Sequence, residues 1–147
     1  MFFLKELPSR QMVEGYASRL EDFDADEVLR ALRIMRDGSL LIRELEAYFA
    51  RHELSQLRFL AMIVIDREPD RDSLTAGEIA ERLDVSRPVV TRTLQGLEKA
   101  GLIAISSNAH DARARDVALT PAGHATLDEV LPGYFAILHD TMKGIRA

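Results

Sequence analysis

The 147-residue chain contains no cysteine. That absence excludes structural disulfides, thiolate metal sites, a nucleophilic cysteine and any thiol redox sensor. It fits a reducing cytoplasm, which is the expected location. Long apolar runs are missing too. The segment Leu60–Ile65 falls far short of the roughly 18 residues a membrane helix needs, so no membrane partner is expected. The start, Met1-Phe2-Phe3-Leu4-Lys5-Glu6, lacks a basic lead and is not expected to be a signal peptide. There is no phosphate-cradling glycine loop, no HExxH pattern and no Ser/His/Asp signature. No catalytic residue is assigned, and the chain is not expected to be an enzyme. His52, His110, His124 and His139 include no pair at the i, i+4 spacing of a helical metal site, so neither metal nor cofactor is expected. Positive charge is also in short supply. Lys and Arg total 19 against 24 Asp and Glu, a net of -5, which in bulk weighs against a nucleic-acid partner.

What is present is a 47% hydrophobic composition, enough for one ordinary domain with a real core. Met12, Val13, Tyr16, Ala17 and Leu20 repeat at helical spacing within residues 8–21. Asp24 or Asp26 can cap a long helix running to about Arg51. Gly38-Ser39 lies within it and is expected to kink or split it. Ser55 is placed to cap a helix from Gln56 to about Asp66. Thr75-Ala-Gly-Glu78 reads as a capping box for a helix ending near Leu83. Asp84-Val85 makes a tight turn, with Asp84 in the left-handed place that Gly often takes and Val85 plugging the corner. Ser86 caps a further helix that Gly101 ends. Two strands, Leu102–Ile105 and Asp116–Thr120, flank a polar tip at Ser106–Arg115. Thr120-Pro121 opens the last helix, where Pro132-Gly133 predicts a kink. The expected fold class is mainly α, an α+β winged helix-turn-helix.

Residues 74–120 carry the functional signal. If Val90, Leu94 and Leu97 point inward, then Arg87, Pro88, Thr91, Arg92, Gln95 and Lys99 face outward. Arg can bind guanine O6 and N7 bidentately, Gln can do the same at adenine, and Thr or Pro can touch the thymine methyl. Ser86 and the free N–H groups of the helix start can hold a phosphate. Residues 86–99 carry three cations against one anion, whereas residues outside 54–120 hold a net of -4. The acidity therefore lies mostly away from this face. Plainer readings stand beside these: Arg87 and Arg92 as a solvated helix face, Asp111 and Arg113 as an ordinary loop pair, Tyr48 and Phe49 as core or interface.

Leu83–Arg92, Leu97–Ile103, Asp111-Ala-Arg113 and Val117–Gly123, preceded by Leu54–Phe59, together resemble the MarR family of winged helix-turn-helix regulators. The resemblance implies a homodimeric transcription regulator, a repressor in sign, that binds double-stranded DNA at an inverted repeat. It implies that residues 1–53 and 121–147 form an intertwined helical dimerisation region around a DNA-binding lobe at 54–120. It further implies a recognition helix (Ser86, Arg87, Pro88, Thr91, Arg92, Gln95) in the major groove. A wing (Arg113, Arg115) would enter the minor groove, with Asp111 orienting Arg113. A small aromatic or phenolic effector is the expected ligand, with no pocket residue named. Two departures stand out. Ala104–Ser107 is poor in Arg where the family's first wing strand is often rich, so fewer phosphate contacts are expected there. The cysteine of the family's redox-sensing branch is missing. The rival expectation is a winged-helix protein-interaction module or anti-repressor that reads no bases.

Overall fold

Helical spacing and capping residues divide the chain as the sequence predicts in most places. The computed structural model describes residues 2–146. In chain order these form α1 (Arg10–Ala17), α2 (Ala25–Ala50), α3 (Gln56–Asp66), β1 (Ser73–Thr75), α4 (Ala76–Arg82), α5 (Arg87–Lys99), β2 (Ile103–Ser107), β3 (Arg115–Leu119) and α6 (Pro121–Arg146). Caps set the boundaries. Asp24 Oδ1 accepts from the Asp26 N–H at 2.8 Å, so Asp24 starts α2. The Ser55 hydroxyl accepts from the Arg58 N–H at the head of α3. Thr75 and Glu78 form the full capping box of α4. Gly101, at φ 75°, takes the left-handed conformation beyond the end of α5.

Several expectations need correction. α2 is continuous through Gly38 and Ser39; Ser39 is buried, and its hydroxyl accepts from the Phe2 N–H at 3.1 Å. α6 runs as one helix with Pro132 inside it, so Pro132-Gly133 does not end it. Asp84 is not left-handed, since the positive-φ residues are Asp22, Glu53 and Gly101. Val85 does not plug a corner, being 37% exposed. A third strand, β1, joins the two predicted ones in the order β1-β3-β2. It pairs antiparallel with β3, Leu74 opposite Val117, and both side chains are fully buried.

The chain divides into two compact units, residues 1–45 with 137–147, and residues 46–136. The second is built on Phe49, Phe59, Met62, Leu74, Ile79, Leu97, Val117, Leu127 and Val130, all fully buried. Phe59 joins two element pairs, its ring lying 4.7 Å from Phe49 and 4.7 Å from Tyr134. The first unit has a thinner interior of Val13, Leu29, Ser39 and Leu45. Arg10 ties α1 to α2 through Asp26 at 2.7 Å.

Candidate nucleic-acid interface

α5 owes its two faces to its sequence period. Val90, Leu94 and Leu97 are buried and recur on one side of a helix of about 3.6 residues per turn. Arg87, Pro88, Thr91, Arg92, Gln95 and Lys99 are exposed on the other. Ser86 is the N-cap, yet its side chain makes no capping hydrogen bond. Its hydroxyl and the first N–H groups of α5 are thus left to an external acceptor. The Thr91 hydroxyl donates to the Arg87 carbonyl at 3.1 Å, which engages its proton and leaves the methyl for an apolar contact.

The loop between β2 and β3 is organised by an asparagine that the sequence reading passed over. Asn108 Oδ1 accepts from the His110 and Asp111 N–H groups, each at 2.8 Å. Its amide donates to Asp116 Oδ1 at 2.7 Å. An Asn at the start of a polar turn is the signal that points to such a brace. Asp111 reaches Arg113 through the backbone: Asp111 Oδ1 accepts from the Arg113 N–H at 2.9 Å. The Arg113 side chain is exposed. Arg115 opens β3, and its guanidinium donates to the Ser107 hydroxyl at 3.3 Å.

These two elements converge. A cleft of about 310 Å³ is lined by Thr75, Ala76, Gly77, Arg87, Asp111, Arg113, Ala114 and Arg115. The start of α5 and the wing therefore bring three guanidinium-bearing residues to one concavity, with Asp111 as its one carboxylate-bearing residue. Thr91, Arg92 and Gln95 do not line it and lie farther along the exposed face of α5. The arrangement suits a polyanion that spans helix and wing, because clustered cations in a concave surface focus attraction for negative charge.

The capping box of α4 stabilises one wall of this cleft. Glu78 accepts both arms of the Arg71 guanidinium at 2.7 Å each and the Thr75 N–H at 2.7 Å. The Arg71 hydrogen bonds, then the Thr75 N–H, hold the Glu78 carboxyl at about 2, well below its ordinary 4.5. Thr75 and its neighbours Ala76 and Gly77 are thereby fixed beside Arg87.

Comparison with known proteins identifies the family. The model of the MarR family matches residues 52–114. The transcriptional repressor MprA of Escherichia coli is 32% identical over 138 residues, covering 94% of this chain and 78% of that one. The HTH-type transcriptional repressor YetL of Bacillus subtilis is 29% identical over 141 residues, covering 95% and 83%. In fold, the chain is similar to Sco3205, a MarR family transcriptional regulator from Streptomyces coelicolor solved in complex with DNA. That likeness has a TM-score of 0.76 at 21% identity, covering 81% of this chain and 74% of the other. The protein belongs to the MarR family, a family of transcriptional regulators rather than enzymes.

Proposed function

We propose that this protein is a homodimeric repressor that reads an inverted-repeat operator in double-stranded DNA. The carrying observation is the cleft shared by Arg87, Arg113 and Arg115 beside the exposed face of α5. Ser86, Arg87, Pro88, Thr91, Arg92 and Gln95 contact the major groove. Arg113 and Arg115 contact the adjacent minor groove, and Asp111 sets the turn that presents Arg113. Relatives named as repressors support the sign of regulation.

The dimer is supported by uncovered apolar surface in the first unit. Met12, Tyr16, Leu20, Ile34, Met35, Leu40, Ile42 and Met142 are all exposed, and large apolar side chains gathered in one unit are the kind of surface that a partner covers. A second copy covers this surface, with residues 1–53 and 121–147 as the dimerisation region and 54–120 as the DNA-binding lobe. A small aromatic or phenolic effector modulates the dimer, and the protein works in the cytoplasm; family resemblance supports both. No described helix is long and apolar enough to cross a membrane.

The test is a gel shift with the DNA upstream of the gene across a salt series, with footprinting of the bound fragment. Binding should weaken steeply with salt, and the footprint should cover two symmetric half-sites. Salt-insensitive binding, or no binding, favours a protein-interaction module instead.

A further inference from the structure

A helix seated in the major groove is bordered by a phosphate backbone on each side, because the groove is only about 12 Å wide. The exposed face of α5 centres on Pro88, Arg92, Gln95 and Lys99. One flank of that face is served by Arg87 and the wing arginines. The opposite flank consists of Val89, Thr93 and Gly96, none of which carries charge. The Thr93 hydroxyl is turned back to the Val89 carbonyl at 2.8 Å. By its own sequence, α5 offers the second backbone nothing.

α3 fills that gap. The space a side chain at Gly96 would occupy holds the guanidinium of Arg58. A Cβ added there would overlap Arg58 Nη2 and lie 3.1 Å from Cζ and 3.3 Å from Nε. The guanidinium thus rests against the second flank of α5, one turn beyond Arg92. Arg58 is half-buried. Among the described residues its guanidinium forms no ion pair and no hydrogen bond; the bond to the Ser55 hydroxyl is made by the Arg58 backbone N–H. Yet no buried polar side-chain atom is left unsatisfied among those residues, so the guanidinium nitrogens are not sealed from solvent. A cation that is positioned by packing but left without a carboxylate is ready for an external anion.

We infer that Arg58 is a DNA-backbone contact, supplied by α3 across Gly96 to the phosphate strand that the wing does not reach. This rests on the DNA-binding reading of the same face. Arg58 anchors and orients α5, and carries no base preference of its own.

The test compares wild type, Arg58→Gln and Arg58→Lys on two duplexes, the gene's own upstream fragment and a scrambled fragment of equal length, over roughly 50–200 mM salt. Arg58→Gln should weaken both duplexes about three- to tenfold and reduce the slope of log affinity against log salt by about 0.9 per subunit. Arg58→Lys should keep the wild-type slope. Thermal midpoints of all three should agree, since the side-chain tip makes no internal hydrogen bond. If wild type binds with a steep slope and Arg58→Gln matches it, the Arg58 contact is overturned while the reading of the site stands. If both variants lose affinity with unchanged slope, Arg58 only props α5 and the inference is equally overturned. A wild type that shows no salt-dependent duplex binding overturns the site reading itself, and the Arg58 contact with it.

Discussion

Asp111 and Arg113 stand two residues apart, and the contact between them decides what each substitution should do. Asp111 accepts from the Arg113 backbone N–H, so it shapes the turn rather than neutralising the guanidinium. Arg113→Ala should weaken DNA binding, most on A·T-rich flanks where a narrow minor groove attracts Arg. Asp111→Ala should reproduce part of that loss, while Asp111→Asn, which keeps an acceptor oxygen, should stay near wild type. In a double-mutant cycle, removing Asp111 after Arg113 should cost little more. Simple additivity in binding titrations would give Asp111 a separate role. Glu78 yields a second prediction. Its folded pKa of about 2 lies below its ordinary 4.5. Its stabilising contribution is therefore fully present above the unfolded value and lost as pH falls through the folded one. Wild-type stability should drop across that window. Glu78→Gln can still cap α4 but cannot form the Arg71 ion pair, so it should be weaker near neutrality and flatter in acid. Urea titrations at several pH values check this; parallel curves for the two chains would count against it.

At the level of elements, α6 shows how packing overrides a local break. Pro132 removes one backbone donor from the helix interior, but the helix persists because its neighbours are held. Leu127 and Val130 are buried, and the Tyr48 hydroxyl donates to the Val130 carbonyl at 2.7 Å. Gly133 makes this possible, since a Cβ there would strike the Tyr48 phenol, 2.7 Å from Cε2. Gly133→Ala should therefore destabilise the protein by about 1–3 kcal/mol, as overpacking does. Tyr48→Phe should cost about 0.5–1.5 kcal/mol for the lost hydrogen bond. Denaturant midpoints measure both, and a neutral Gly133→Ala would mean Tyr48 moves freely. The same contest explains what was legible beforehand. The caps at Ser55 and Thr75 and the end at Gly101 are local chemistry, and a sequence displays them. So is the spacing of Val90, Leu94 and Leu97, which placed the exposed face of α5. β1 was missed because three residues with one apolar member carry no strand pattern; only pairing with β3 makes Ser73–Thr75 a strand. That α2 runs on through Gly38 and α6 through Pro132 depends on tertiary packing, which no local pattern displays. The Arg58–Gly96 contact joins residues distant in sequence, and no local pattern announces it; the Asn108–Asp116 brace spans a single turn, where an Asn at its start is a local signal.

For the molecule as a whole, the two compact units make oligomerisation and lobe folding separable. Removing all of residues 124–147 would take Leu127 and Val130 out of the core of residues 46–136, so it would confuse the two. Ile34 gives a cleaner test. It is 64% exposed in the single chain, and a surface substitution at such a site ordinarily changes stability by within about 0.5 kcal/mol. A monomeric protein should therefore tolerate Ile34→Glu. If instead a second copy covers this surface, the new carboxylate is buried without a partner. Desolvating a lone charge is costly, so the dimer should dissociate. Light scattering should then report half the wild-type mass, or the chain should lose stability together with the dimer, since obligate dimers often lack a stable monomer. DNA binding should follow. A dimer presents two copies of α5, and its footprint should show half-site centres about 10 bp apart. Ile34→Glu lies in a different compact unit from α5; even so, it should abolish the paired footprint while leaving salt-sensitive, non-specific binding. A variant that keeps wild-type mass and the symmetric footprint would place the dimer contact away from Ile34. A wild type that binds as a monomer to one half-site would remove the inverted repeat altogether.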